Sequence, residues 1–92
     1  MIKTFRHKGL ERLFHDDDHG GVRTKDAPKL ARQLDRLDAA ARPEDMGMPG
    51  WGLHPLKGDR RGVWSVKVSG NWRLTFRFDG GDAYDVNLED YH

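Results

Sequence analysis

The sequence predicts an α+β fold: two N-terminal helices packed on a mainly antiparallel β-sheet that ends in two hairpins. Three observations predict it. Apolar residues recur at helical spacing after Asp26, the period changes to two from Val63 onward, and two Gly-containing turns divide that second half.

The elements follow in chain order. Ile2 to Phe5 is short and β-prone, which predicts an edge strand. Residues 7–14 predict a short helix, with Leu10, Leu13 and Phe14 at i, i+3 and i+4. His15-Asp16-Asp17-Asp18-His19-Gly20-Gly21 has no period and reads as a solvated loop. The strongest helix starts at Asp26, an expected N-cap, with Pro28 tolerated in the first turn. Leu30, Leu34, Leu37 and Ala41 form its apolar stripe, and Pro43 is expected to end it near Arg42. Residues 43–52 hold two prolines and three glycines, a loop leading to Trp51 and Leu53.

Three strands follow. Trp64, Val66 and Val68 alternate with Ser65 and Lys67; Trp72, Leu74, Phe76 and Phe78 with Arg73, Thr75 and Arg77; Tyr84, Val86 and Leu88 with Asp85, Asn87 and Glu89. The pattern predicts one apolar face under the helices and one polar face in solvent. A shared apolar face requires odd loops, so Ser69-Gly70-Asn71 and Asp79-Gly80-Gly81 are expected as three-residue turns. That register sets Trp64 opposite Phe76, and Phe76 opposite Tyr84. On the polar face it sets Lys67 opposite Arg73, and Arg73 opposite Asn87. Adjacent cations repel, so this pair suits a bound anion as well as it suits splayed solvent-exposed side chains.

The 92 residues fit a single domain, 1–92, with a small core. Charged residues make up 34% and apolar ones 36%, a polar but globular balance. The absence of cysteine excludes disulfides and thiolate metal sites. No stretch reaches the length of a membrane span, and Met1 to Arg6 lacks the apolar run of a signal peptide, so a cytoplasmic protein is expected. The net charge of +1 hides an uneven layout. Residues 51–78 carry Lys57, Arg60, Arg61, Lys67, Arg73 and Arg77 against Asp59 alone. Residues 79–92 carry five acidic side chains and no Lys or Arg. A basic block beside an acidic one suits a polyanion site with carboxylates, although on charge alone salt bridges between neighbouring strands are the favoured reading.

Three local groups bear chemistry: Leu53-His54-Pro55-Leu56-Lys57-Gly58-Asp59-Arg60, Asn71-Trp72-Arg73, and Glu89-Asp90-Tyr91-His92. RNA cleavage without a metal needs a base for the 2′-hydroxyl proton, an acid for the leaving 5′-oxygen, and cations for the phosphorane. Imidazole titrates near neutrality, Arg grips phosphate in two places, Lys offers a point charge, and Tyr can stack on a base. Each residue taken singly also has an ordinary structural reading.

Those strings, with Trp64-Ser65, Asn71-Trp72-Arg73-Leu74-Thr75-Phe76 and Gly81-Asp82-Ala83-Tyr84, resemble the HigB host-inhibition toxins of the RelE/ParE superfamily. The opening Met1 to Leu10 is similar as well, so the likeness runs along essentially the whole chain. The resemblance implies a compact RelE-like fold and cleavage of messenger RNA in the ribosomal 30S A site. It implies a HigA-like helix-turn-helix antitoxin, with operator DNA reached only through the toxin–antitoxin complex, and no cofactor or metal. It places catalytic residues on His54, Asp90, Tyr91 and His92, and phosphate contacts on Lys57 and Arg73. Lys67 and Arg77 join these as cations of the same polar face. His92 or Asp90 takes the 2′-hydroxyl proton and His54 is the acid, although a C-terminal imidazolium at His92 would also serve as the acid. Two other readings compete: a ParE-like toxin that inhibits gyrase by binding, and a silent RNA- or antitoxin-binding module. The segments 16–21 and 46–51 depart from the family pattern.

Overall fold

A computed structural model describes residues 1–90 of the chain. Two helices, α1 (Lys8–Asp16) and α2 (Ala27–Ala39), precede β1 (His54–Pro55), β2 (Val63–Ser69), β3 (Trp72–Asp79) and β4 (Asp82–Asp90). The strands form one antiparallel sheet in the order β1-β2-β3-β4.

The sheet is half-covered, as its alternation requires. Leu10 and Leu13 of α1 and Leu30, Leu34 and Leu37 of α2 are buried with Val66, Leu74, Phe76 and Val86 in one core. Ser65, Lys67, Arg73, Thr75, Arg77, Asn87 and Glu89 stand on the alternate positions, away from the helices.

The helix starts differ in how their amides are satisfied. His7 Nδ1 accepts from Leu10 N at 3.1 Å and caps α1. Burial holds the His7 pKa below the usual imidazole value, which favours the neutral ring that can accept. Asp26 stands at the N-cap of α2, as expected, yet its carboxylate does not cap. It accepts instead from Arg23 Nε at 2.8 Å and from Ser69 Oγ at 2.7 Å, joining the helix to the β2–β3 turn. Helix α2 stops at Ala39, before the expected limit near Arg42, because Ala40 is already extended; Pro43 opens a separate 3-10 turn, Pro43–Met46.

Two expectations about the sheet need correction. His54–Pro55, outside the three strands expected in this half, is a short fourth strand, with His54 opposite Ser65 and Pro55 opposite Trp64. Its two residues are too few for a periodic signal. Both turns are tighter than expected. Ser69 pairs with Trp72 across Gly70-Asn71, and Asp79 pairs with Asp82 across Gly80-Gly81. The positive φ of Gly70, Gly80 and Gly81 suits two-residue turns that follow strand twist.

A two-residue turn alone would put apolar residues on opposite faces, so each hairpin restores parity with a bulge. The first lies between Lys67 and Ser69 and keeps Trp64 opposite Phe76 and Lys67 opposite Arg73, as expected. The second lies in β4 at Asp85, whose φ is 54°. The shorter turn and the bulge each shift the register by one. On the turn side Tyr84 faces Arg77 rather than Phe76, so Tyr84 falls on the polar face and Ala83 takes the core position; beyond the bulge the shifts add to two, so Arg73 faces Glu89 rather than Asn87 and Thr75 faces Asn87. The expected edge strand Ile2–Phe5 is present as two parallel bridges, Ile2 to Ala83 and Phe5 to Val86, covering the free edge of β4.

Candidate functional site on the polar sheet face

The pleat and the register assemble the site. His54, Ser65, Thr75 and Asn87 form one row across the four strands. Lys67, Arg73 and Glu89 form the next row. His54 and Lys67 are diagonal neighbours, a geometry that brings side chains within roughly 7–8 Å.

His54 is exposed and oriented from both ring nitrogens. Nδ1 lies 3.0 Å from the Gly52 carbonyl, which only accepts, so Nδ1 carries a proton. That leaves Nε2 to give or take a proton, with Ser65 Oγ at 3.5 Å as a long contact. Gly52 has φ +58°, and a Cβ there would meet Lys67 Cε at 3.2 Å. A glycine therefore serves the backbone turn and leaves room for the lysine stem.

Lys67 is fixed through its backbone on the same side. Its N–H donates to Trp51 O at 2.7 Å, and its carbonyl accepts from Gln33 Nε2 at 2.9 Å. Gln33 is fully buried in α2, so the helix layer sets where this lysine sits. Arg73 turns its guanidinium back to Gly70 O at 2.8 Å and Trp72 O at 3.1 Å. Among the described residues neither Lys67 nor Arg73 has a carboxylate within ion-pair distance, and Lys57 has none either. Two cations side by side without a counter-charge make a strong anion site.

The remaining expected residues are distributed unevenly. Lys57 is exposed just before the 3-10 turn Gly58–Arg60, where its carbonyl accepts from Arg60 N at 3.2 Å. Arg77 lies four residues beyond Arg73, roughly 13 Å along the strand. Its Nε approaches Asp85 at 3.7 Å and its Nη1 approaches Arg61 O at 3.5 Å, so it stands apart from the Lys67–Arg73 pair. Asp90 ends β4 opposite Trp72, and strand alternation puts it on the Val86 and Leu88 side rather than the His54 side. Tyr91 and His92, the other two expected catalytic residues, lie outside the described residues.

Sequence reasoning missed a partly buried polar network beside these groups. Arg60 grips Glu89 in two places, Nη1 to Oε1 at 3.0 Å and Nη2 to Oε2 at 2.7 Å, while Thr75 Oγ1 donates to Oε2 at 2.6 Å. The Arg60 hydrogen bonds outweigh partial burial and, with Thr75, hold the Glu89 carboxyl below its usual value. The only sequence signal was Thr75 and Glu89 on polar-face positions, and the two-residue register error hid their meeting.

The α+β scaffold with an open cationic sheet face defines the class, and the comparisons name it. Residues 3–92 match the model of a family described as the RelE-like toxin of type II toxin–antitoxin system HigB. The chain belongs to this HigB-like toxin family and, as a toxin of that class, has an antitoxin partner. It is 47% identical over 92 residues to Endoribonuclease HigB of Proteus vulgaris, covering 100% of both chains. It is 32% identical over 91 residues to Toxin HigB-1 of Vibrio cholerae serotype O1, covering 97% of this chain and 96% of that one. Among the described residues no helix is long and apolar enough to cross a membrane.

Proposed function

We propose that this chain is a ribosome-dependent endoribonuclease that cleaves messenger RNA in the A site and so arrests translation. The single observation that carries the reading is the Lys67–Arg73 pair, unneutralised by any described carboxylate and diagonal to the exposed imidazole of His54. The name of the Proteus vulgaris relative, an endoribonuclease, supports it.

In this reading the scissile phosphate lies over Arg73 and Lys67, with Lys57 reaching it from the loop. His92 removes the 2′-hydroxyl proton, because Asp90 lies on the other side of the sheet from His54; O2′ bonds to phosphorus, and the bond from phosphorus to O5′ breaks. His54 Nε2 gives the leaving oxygen its proton, and Tyr91 stacks on or orients the substrate. The products are a 2′,3′-cyclic phosphate and a 5′-hydroxyl end. No metal or cofactor takes part in this scheme. Substrate positioning falls largely to the ribosome. The protein acts as a single RelE-like domain in the cytoplasm. Its antitoxin is a HigA-like helix-turn-helix protein, and operator DNA is reached only through that complex.

Mapping messenger 5′ ends after controlled expression tests the proposal. New 5′-hydroxyl ends inside coding frames are expected. They should fall by at least about a hundredfold in His54→Ala, Arg73→Ala and His92→Ala, the usual scale for losing a proton-transfer or charge-stabilising group. Growth arrest by the unaltered protein without new ends would overturn it.

A further inference from the structure

The register holds an apparent contradiction. Arg73 stands directly opposite Glu89 on the same face, where side chains are close enough to pair. Yet their charges do not meet: Arg60 occupies both carboxylate oxygens, and Thr75 adds a third hydrogen bond. Arg73 lies back on the carbonyls of Gly70 and Trp72. Arg60 reaches this place from the 3-10 turn that follows Lys57, so it comes from a different segment.

We propose that Arg60 is a positioning residue that sequesters Glu89 and thereby keeps Arg73 available to the substrate phosphate. The inference rests on the nuclease reading above and adds a residue to it. A fork-to-fork pair satisfies a carboxylate more fully than a single-point contact. Glu89 thus stays ionised but is already matched, and the polar face keeps its positive row. Without Arg60 the same carboxylate is an internal competitor, one strand away from Arg73 and tethered beside it.

The test uses full-length protein and a defined messenger programmed on ribosomes, with kcat and KM measured separately. Arg60→Gln is expected to raise KM about tenfold, the effect of losing one charge-assisted contact, because Glu89 turns to Arg73. Adding Glu89→Gln to Arg60→Gln should restore most of that loss, since the competing charge is gone. A purely structural tie predicts the reverse, with the double variant no better than the single. If Arg60→Gln melts below the assay temperature, Arg60→Lys replaces it, with a KM rise of about threefold and the same recovery by Glu89→Gln. An unchanged KM in either single variant, or no recovery in the double, overturns the inference. No cleavage by the unaltered protein instead removes the nuclease reading on which it rests.

Discussion

The two hairpins solve one geometrical problem with different materials. Each closes in a two-residue turn and each needs a bulge to return its apolar residues to the core face. The β2–β3 bulge is held from inside the fold. Gln33 donates to Lys67 O, Lys29 Nζ donates to Val68 O at 2.9 Å, and Ser69 is tied to Asp26. The β3–β4 bulge is held from the edge. Asp85 takes a left-handed φ, and its N–H donates to Thr4 Oγ1 at 2.8 Å in the N-terminal segment. The first hairpin carries Lys67 and Arg73, and it is the one locked by buried side chains. The second presents its bulge to solvent. Precise placement of a charge is thus obtained by anchoring its backbone in the helix layer, not by pairing the charge itself.

Gln33→Ala gives the largest expected effect. It leaves a cavity in α2 and strips the Lys67 carbonyl of its buried donor, for a loss of about 2–4 kcal/mol in chemical denaturation. Cleavage should fall with it, because Lys67 loses its fixed position. A stability loss below that of an ordinary surface substitution would show that the two bulges are equally loosely held.

Edge substitutions should be milder and of opposite signs. Thr4→Ala removes one exposed hydrogen bond and should lower stability by about 0.5–1 kcal/mol. Asp85→Gly relieves a left-handed backbone and should raise stability by up to about 1 kcal/mol, at the expense of the Arg77 contact. Melting both variants alongside Gln33→Ala ranks the anchors. A Thr4→Ala loss as large as that of Gln33→Ala would erase the contrast.

The smallest effect is a pH dependence. The folded Glu89 carboxyl titrates below its ordinary value of 4.5, so it stabilises the fold above that value. This contribution is lost as pH falls through the lower, folded pKa. Asp26 behaves likewise: burial pushes its carboxyl up, but the Ser69 and Arg23 contacts outweigh this and hold it below 3.8. Glu89→Gln should therefore flatten the acid limb of the stability curve only in part, with Asp26 and Asp45, whose carboxyl is held low by the backbone N–H of Ala41, supplying the remainder. An acid limb unchanged by Glu89→Gln would mean that the β4 tether carries no linked proton.

The sequence by itself determined the helix stripes, the cation pair and the polar and apolar faces, except at Tyr84, which the β4 bulge leaves opposite Arg77 on the polar face. Periods of 3.6 and 2 are local properties, and the parity of the first hairpin follows from burying one face. It also marked His54, Lys57, Arg73 and the terminal group through their likeness to a family. Only the tertiary structure decided which residues meet across the second hairpin. In the second hairpin the shorter turn and the bulge add instead of cancelling, which keeps the parity but slides the register by two, so Glu89 rather than Asn87 faces Arg73. It also decided that Asp26 ties a turn rather than capping a helix, and that Arg60 rather than Arg73 holds Glu89. Periodicity fixes the side of the sheet on which a residue lies as long as no bulge interrupts the strand, whereas the partner of a long charged side chain is settled by competition among groups distant in sequence.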